Sequence, residues 1–318
     1  MENPVRATTL EVIKKAKDVK INRVRIGELA KEWAESRLTV PPWPKEYHLK
    51  TDNDEALLSY IVLLSSINFC FWSQGKRWNI EYGGKTYNGY FGLSLALKKF
   101  FEDNREKGNL EFFSKISFQD FKNILRGGEN LSFLEKRWKI VRAVSDKIIR
   151  KYGNSVNFFL SADKKVAVLV KKIYEELPSF NDISVYNGKK VYLLKRPQIL
   201  LADAWGSFDG KGITEFEDMD YLTCFPDYKV PQALNYLGIL EYSEHFNRKI
   251  KNRILIPHNS KQEVEIRSAT VWGVEYLKEE LEKEGKSFYA FEVDWILWNK
   301  AQQNKIEKPY HLTKTIFY

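Results

Sequence analysis

The sequence predicts a mostly α-helical fold, a single domain carrying two short β-hairpins. Three observations lead there. Helical patterns recur along the chain. Only two short stretches alternate around a turn of glycine type. No low-complexity linker, repeat or composition shift divides the 318 residues, so one domain is expected over 1–318.

Residues 53–69, "NDEALLSYIVLLSSINF", are apolar nearly all round, as a buried central helix is. Asn53 or Asp54 can cap its start. "WNIEYGGKTYNGY" (78–90) alternates around Gly83-Gly84 and reads as a hairpin. Helical patterns follow at 132–152 and 161–177. "SVYNGKKVYLL" (184–194) repeats the hairpin logic around Asn187-Gly188, and 195–208 is helical again. The next helix covers 231–237, with Val230, Ala233, Leu234 and Leu237 on one face. Proline suits its first position and Gly238 its exit. "SKQEVEIRSATVWGVEYL" opens on a capping box, Ser260 to Glu263, and places Glu265, Ala269 and Trp272 on one face. The last long apolar stretch, "FYAFEVDWILWNKA", contains Asp294.

Composition narrows the function. Aromatic residues make up 14% (9 Trp, 17 Tyr, 20 Phe), which suits a core or pocket lined with rings. No apolar run reaches 18 residues, so no membrane span is expected. The first residues show no apolar stretch of signal-peptide type. With Cys70 and Cys224 forming no CxxC pair, a cytoplasmic protein is expected. His48, His245, His258 and His311 are scattered, which argues against a protein-held metal. "GGKT" (83–86) lacks the first glycine and the following helix of a phosphate-binding loop. Neither GxGxxG nor GxSxG occurs. The net charge of +9 fits nucleic acid or an anionic small substrate. Interleaved segments such as "YLKEELEKEGK" read as solvated helix faces.

Two aspartates stand out. Asp227 lies in "TCFPDYKVPQALNYLGIL" (223–240). If "FPD" is extended, Phe225 and Asp227 share a side, a ring and a carboxylate able to read a flat heterocycle. The competing reading ties Asp227 to the dipole of the helix after it. Asp294, in an otherwise apolar run, is either paired with a cation or used in chemistry. His48, in "WPKEYHLK", reads by itself as a surface or core histidine.

Six stretches in order resemble the queuosine 5′-phosphate N-glycosylases of the queuosine salvage family. They are "NFCFWS" (68–73), "GGKTYNGYFGLSLAL" (83–97), "KRPQILLADAW" (195–205), "LTCFPDYKVPQALNYLGIL" (222–240), "QEVEIRSATVWGVEYL" (262–277) and "VDWILW" (293–298). The resemblance implies a helical fold related to helix-hairpin-helix DNA glycosylases. It implies hydrolysis of queuosine 5′-phosphate to queuine and ribose 5-phosphate, with no metal or redox cofactor. Motif by motif it implies a queuine pocket of His48, Phe225, Asp227, Asp294 and Trp295. Where the family usually carries a second acid, this chain has Asn299. Queuine is a 7-deazaguanine, so no acid can assist its departure at N7. The enzyme must anchor the base and stabilise a cationic sugar. On enclosure alone, Asp294 is expected at the sugar and Asp227 at the base edge. Lys195, Arg196 and Lys229 stand near the motifs as candidates for the 5′-phosphate. The expected partners are the small substrate and its product, without membrane or direct nucleic-acid contact. Two alternatives remain: a DNA or RNA base-excision glycosylase, and a non-catalytic queuosine-binding module.

Overall fold

The computed structural model describes residues 2–36, 38–73, 75–129, 131–303 and 306–318. In chain order they form α1 (Pro4–Ile13), β1 (Val19–Ile21), α2 (Arg23–Glu35), α3 (Asp54–Ser66), β2 (Asn79–Tyr82), β3 (Lys85–Asn88), α4 (Gly89–Asp103), α5 (Leu110–Lys115), α6 (Phe118–Ile124) and α7 (Leu134–Tyr152). Then come α8 (Ser155–Leu160), α9 (Val166–Glu176), β4 (Ile183–Tyr186), β5 (Lys189–Tyr192), α10 (Lys195–Ser207), α11 (Val230–Tyr236), β6 (Leu240–Tyr242), α12 (Glu244–Lys251), α13 (Lys261–Lys283) and α14 (Ala290–Gln303). The protein is mostly α, as expected.

Two helices organise the packing. Every residue of α3 from Leu57 to Ser66 is buried. A helix apolar on all sides must be surrounded, and α3 packs on α4, α7, α8 and α10. Asn53 caps it by accepting the Ala56 N–H at 2.9 Å. On the other side α13 packs on α1, α2, α11, α14 and β1. Its Ser260 cap accepts the Glu263 N–H at 3.2 Å. The Glu263 carboxylate, however, turns to the Asn259 N–H rather than completing the expected box. The main buried apolar cluster runs from Val5 to Leu312, and a smaller one joins Val12, Tyr186, Val191, Leu193 and Val264.

Both hairpins form as read, β2 with β3 and β4 with β5. Their central pairs, Gly83-Gly84 and Asn187-Gly188, all have positive φ, as tight hairpin turns require. A third antiparallel pair, β1 with β6, joins the segment between α1 and α2 to the one between α11 and α12. The helix expected over 161–177 begins only at Val166. Asp163 and Lys164 are left-handed. The Asp218 carboxylate caps the delayed start, accepting the Val166 and Ala167 N–H groups at 2.6 and 3.1 Å. Among the described residues no helix is long and apolar enough to cross a membrane.

Candidate active site

A cavity of about 360 Å³ opens where α4 and α10 face α14 and the turn before α11. From α10 come Lys195, Ile199 and Asp203, spaced by four and therefore on one helix face. From α14 come Asp294, Trp295, Trp298 and Asn299, likewise one stripe. The turn before α11 adds Phe225, Asp227 and Lys229. The segment after α3 adds Asn68, Phe69, Phe71 and Trp72, and Trp43 closes one wall. Thus Phe225, Asp227, Asp294, Trp295, Asn299, Lys195 and Lys229, expected at the site, meet in one cavity.

Buried arginines hold the walls in place. The last carbonyls of a helix have no partner within it and lie at its negative end. Arg196 donates to the Ser66 carbonyl at the end of α3 and to Ser179. Arg137 donates to the carbonyls of Ile67, Phe69 and Cys70. Burial pushes both guanidiniums down to about 9, so they remain charged near neutral pH. Arg196 is thereby spent on the scaffold and does not line the cavity. Arg267 binds both oxygens of Asp182, at 2.9 and 2.6 Å, and donates through Nε to the Pro226 carbonyl at 2.8 Å. Asp182 also accepts the Lys195 N–H at 3.2 Å. One buried ion pair therefore ties the start of α10 to the turn that carries Asp227.

The three cavity carboxylates differ in environment. Asp227 is half-buried. One oxygen accepts the N–H groups of Lys229 and Val230, at 2.7 and 2.9 Å. The helix-end partner is therefore present, and the other oxygen is left for the cavity. Burial raises the Asp227 pKa, opposed first by Lys195, then by those two N–H groups and the Lys229 charge. Asp294 is 3% exposed and accepts the Phe225 N–H at 2.9 Å. Burial holds its pKa well above the carboxylate range, and the Asp227 charge pushes the same way. Asp203 accepts from Trp43 Nε1–H and the Tyr90 hydroxyl, both at 3.0 Å. Burial pushes it up to about 6 against those donors. Lys195 is pushed down to about 8 by burial, despite the pull of Asp227, Asp203 and Asp294. Burial also lowers Lys229, opposed by Asp227.

His48 stands one layer behind the cavity. Its ring stacks on Trp43 at 4.0 Å. Nδ1 lies 3.0 Å from the Tyr60 hydroxyl and Nε2 lies 3.4 Å from that of Tyr90. Burial lowers its pKa to about 3, so the imidazole is neutral. Tyr60 donates to the Ser94 carbonyl at 3.2 Å. With the Tyr60 proton on Ser94, the His48 proton sits on Nδ1 and is donated to the Tyr60 oxygen; the Tyr90 proton is donated to Asp203, so Nε2 only lies beside that hydroxyl. Asp203, Tyr90 and Trp43 were missed in the sequence. Asp203 had a signal, since it follows Lys195 by two four-residue steps on one face. Tyr90 lay in the family-like stretch 83–97 without being singled out, and Trp43, from a distant segment, had no signal. Trp43 packs so closely on α10 that a Cβ at Gly206 would stand 2.8 Å from its ring.

An enclosed aromatic cavity in which carboxylates are raised and a lysine is lowered is the layout of an enzyme site for a small polar ligand. A family model described as "Queuosine salvage protein" matches residues 47–318. A Sphaerobacter thermophilus protein named queuosine 5′-phosphate N-glycosylase/hydrolase is 37% identical over 316 residues, covering 99% of this chain and 97% of its own. Proteins of the same name from Schizosaccharomyces pombe and Bos taurus are 32% and 30% identical. They match 90% and 88% of this chain, and 88% and 87% of their own lengths. The chain belongs to the queuosine salvage protein family.

Proposed function

We propose that this chain is an N-glycosylase that hydrolyses queuosine 5′-phosphate to queuine and ribose 5-phosphate. The observation that carries the reading is the set of groups that one cavity brings together: the carboxylates of Asp294 and Asp227, the cations Lys195, Lys229 and Arg77, and the rings of Phe225 and Trp295. Asp227 and Lys195 act on the charge of Asp294, Lys195 and Lys229 act on that of Asp227, and Asp227 and Arg77 act on that of Lys229. Carboxylates, ring faces and cations are the partners that the sugar, base and phosphate of a nucleotide need.

The environments of the two carboxylates support the reverse of the roles expected from enclosure alone. The group facing a cationic sugar must be ionised at the working pH. Asp227, with two backbone donors and two flanking lysines, is the better anion. Asp294, the more enclosed, is driven toward its neutral form. It suits the guanine-like edge of queuine, whose N–H donors would restore its charge on binding. Phe225 and Trp295 supply ring faces for the base, and the Asn299 amide stands near it in place of the family's acid. His48 acts through Tyr90 and Trp43.

In the reaction the C1′–N9 bond breaks with its electron pair leaving on the base. Water supplies hydroxyl to C1′, and a proton ends on N9. The Asp227 carboxylate opposes the positive charge growing on the sugar. Lys195, which lines the same cavity as Asp227 and Asp294, opposes the negative charge on the departing base. A carboxylate set just before a helix is also the feature behind the relation to helix-hairpin-helix glycosylases, which we carry as part of this reading. We further infer that the chain works as one unit over 1–318, in the cytoplasm, on a free nucleotide rather than on nucleic acid. Incubation with queuosine 5′-phosphate, followed by mass spectrometry, tests the reaction: free queuine and ribose 5-phosphate are expected in equal amounts. Intact substrate would overturn it.

A further inference from the structure

Two cations at the open end of the cavity have no acidic partner. Some exposed cations elsewhere are matched, as Lys45 is by Asp209 and Lys151 by Glu176; what sets these two apart is that both line the cavity. Arg77 is exposed, lines the cavity, and donates to the Tyr310 hydroxyl at 2.9 Å. Lys229 also lines the cavity. Its Nζ lies 5.1 Å from the centre of the Tyr310 ring and 3.3 Å from the neutral Gln232 oxygen. Among the described residues neither cation forms an ion pair with a carboxylate. Arg77 disfavours the charge of Lys229, and the anion that acts on Lys229 is Asp227. From a third side Arg253 sits 4.8 Å from the same ring centre and donates to the Tyr310 carbonyl at 3.2 Å.

We infer that Arg77 and Lys229, spaced by Tyr310, form the subsite for a phosphate monoester. This rests on the nucleotide reading above and adds the residues that distinguish nucleotide from nucleoside. Two positioned cations without a counter-charge make a local positive field that a dianion relieves through charge-assisted hydrogen bonds. Lys195 is excluded from this role, because the charges of three aspartates surround it. Arg196 is excluded, because its two terminal nitrogens donate to backbone carbonyls away from the cavity.

The test is the double variant Arg77→Ala with Lys229→Ala, compared with wild type on three measurements. The kcat/KM ratio of queuosine 5′-phosphate to queuosine is expected to fall by about a hundredfold, toward one, since two charge-assisted contacts are removed. Calorimetric binding of ribose 5-phosphate should be lost. Binding of free queuine, which also reports an intact fold, should change by less than about threefold. An unaltered preference for the nucleotide in a variant that still binds queuine overturns the subsite and leaves the reaction standing. Wild-type protein that binds ribose 5-phosphate through these residues but releases no queuine overturns the reaction and leaves the subsite standing.

Discussion

Asp227 and Asp294 line the same cavity, yet their surroundings prepare them for opposite tasks. Asp294 projects from the interior of α14 and is nearly sealed, with a single backbone donor on its carboxylate. Asp227 stands in a turn, half-buried, with two backbone donors and the charges of two lysines acting on it. Burial raises both, but far more for Asp294. Enclosure strengthens a charge only while the group remains charged. Past that point it removes the charge instead.

Four experiments break or sharpen this contrast. The largest effect is expected for Asp227→Asn. Its remaining oxygen can still accept the Lys229 and Val230 N–H groups, so the turn should survive. The charge facing the sugar is lost, and kcat should fall about a thousandfold with queuine affinity nearly unchanged. If kcat holds and queuine affinity collapses, the two roles are exchanged. Asp294→Asn should do the reverse. An amide nitrogen there faces the donors of the base edge, so calorimetry with queuine should show a loss of about 1–3 kcal/mol.

The third experiment probes the wall between them. Gly206→Ala places a methyl against the Trp43 ring. Moving Trp43 disturbs its hydrogen bond to Asp203 and its stack on His48. Queuine binding should weaken about tenfold, with His48→Ala acting in the same direction by removing the stack. Normal affinity in both folded variants would show that this wall does not touch the base.

The smallest effect concerns pH. Asp203 is raised to about 6 from an ordinary value of 3.8, so the folded protein holds a proton there that the unfolded chain has released. The resulting stabilisation is present in full below about 3.8 and is lost as pH rises through 6. Denaturant titrations should find that wild type loses about 1 kcal/mol more than Asp203→Asn between pH 5 and 7. Parallel profiles would mean that Asp203 titrates normally.

Much of the layout was readable before any coordinates. The buried α3, both hairpins and the helices from Leu134, Lys195 and Val230 follow from periodicity and turn residues. The late start of α9 did not, because its cap is Asp218, far along the chain. The β1–β6 pair was hidden for the same reason: strand pairing is a long-range contact without a local signature. At the site, the six motifs named Phe225, Asp227, Asp294 and Trp295. The i, i+4, i+8 spacing on α10 could have added Asp203.

By itself, the sequence determined the helical class, the hairpin turns and the residue types available for chemistry. These are properties of periodicity, backbone sterics and composition, all local to the chain. Only tertiary structure decided which carboxylate is sealed and which is flanked by lysines. It also turned Arg196 into the scaffold and left Arg77 facing the cavity, and it set His48 behind Trp43. Charge state depends on burial and on neighbours from remote segments, and those are assigned only when α10, α14 and the turn before α11 meet.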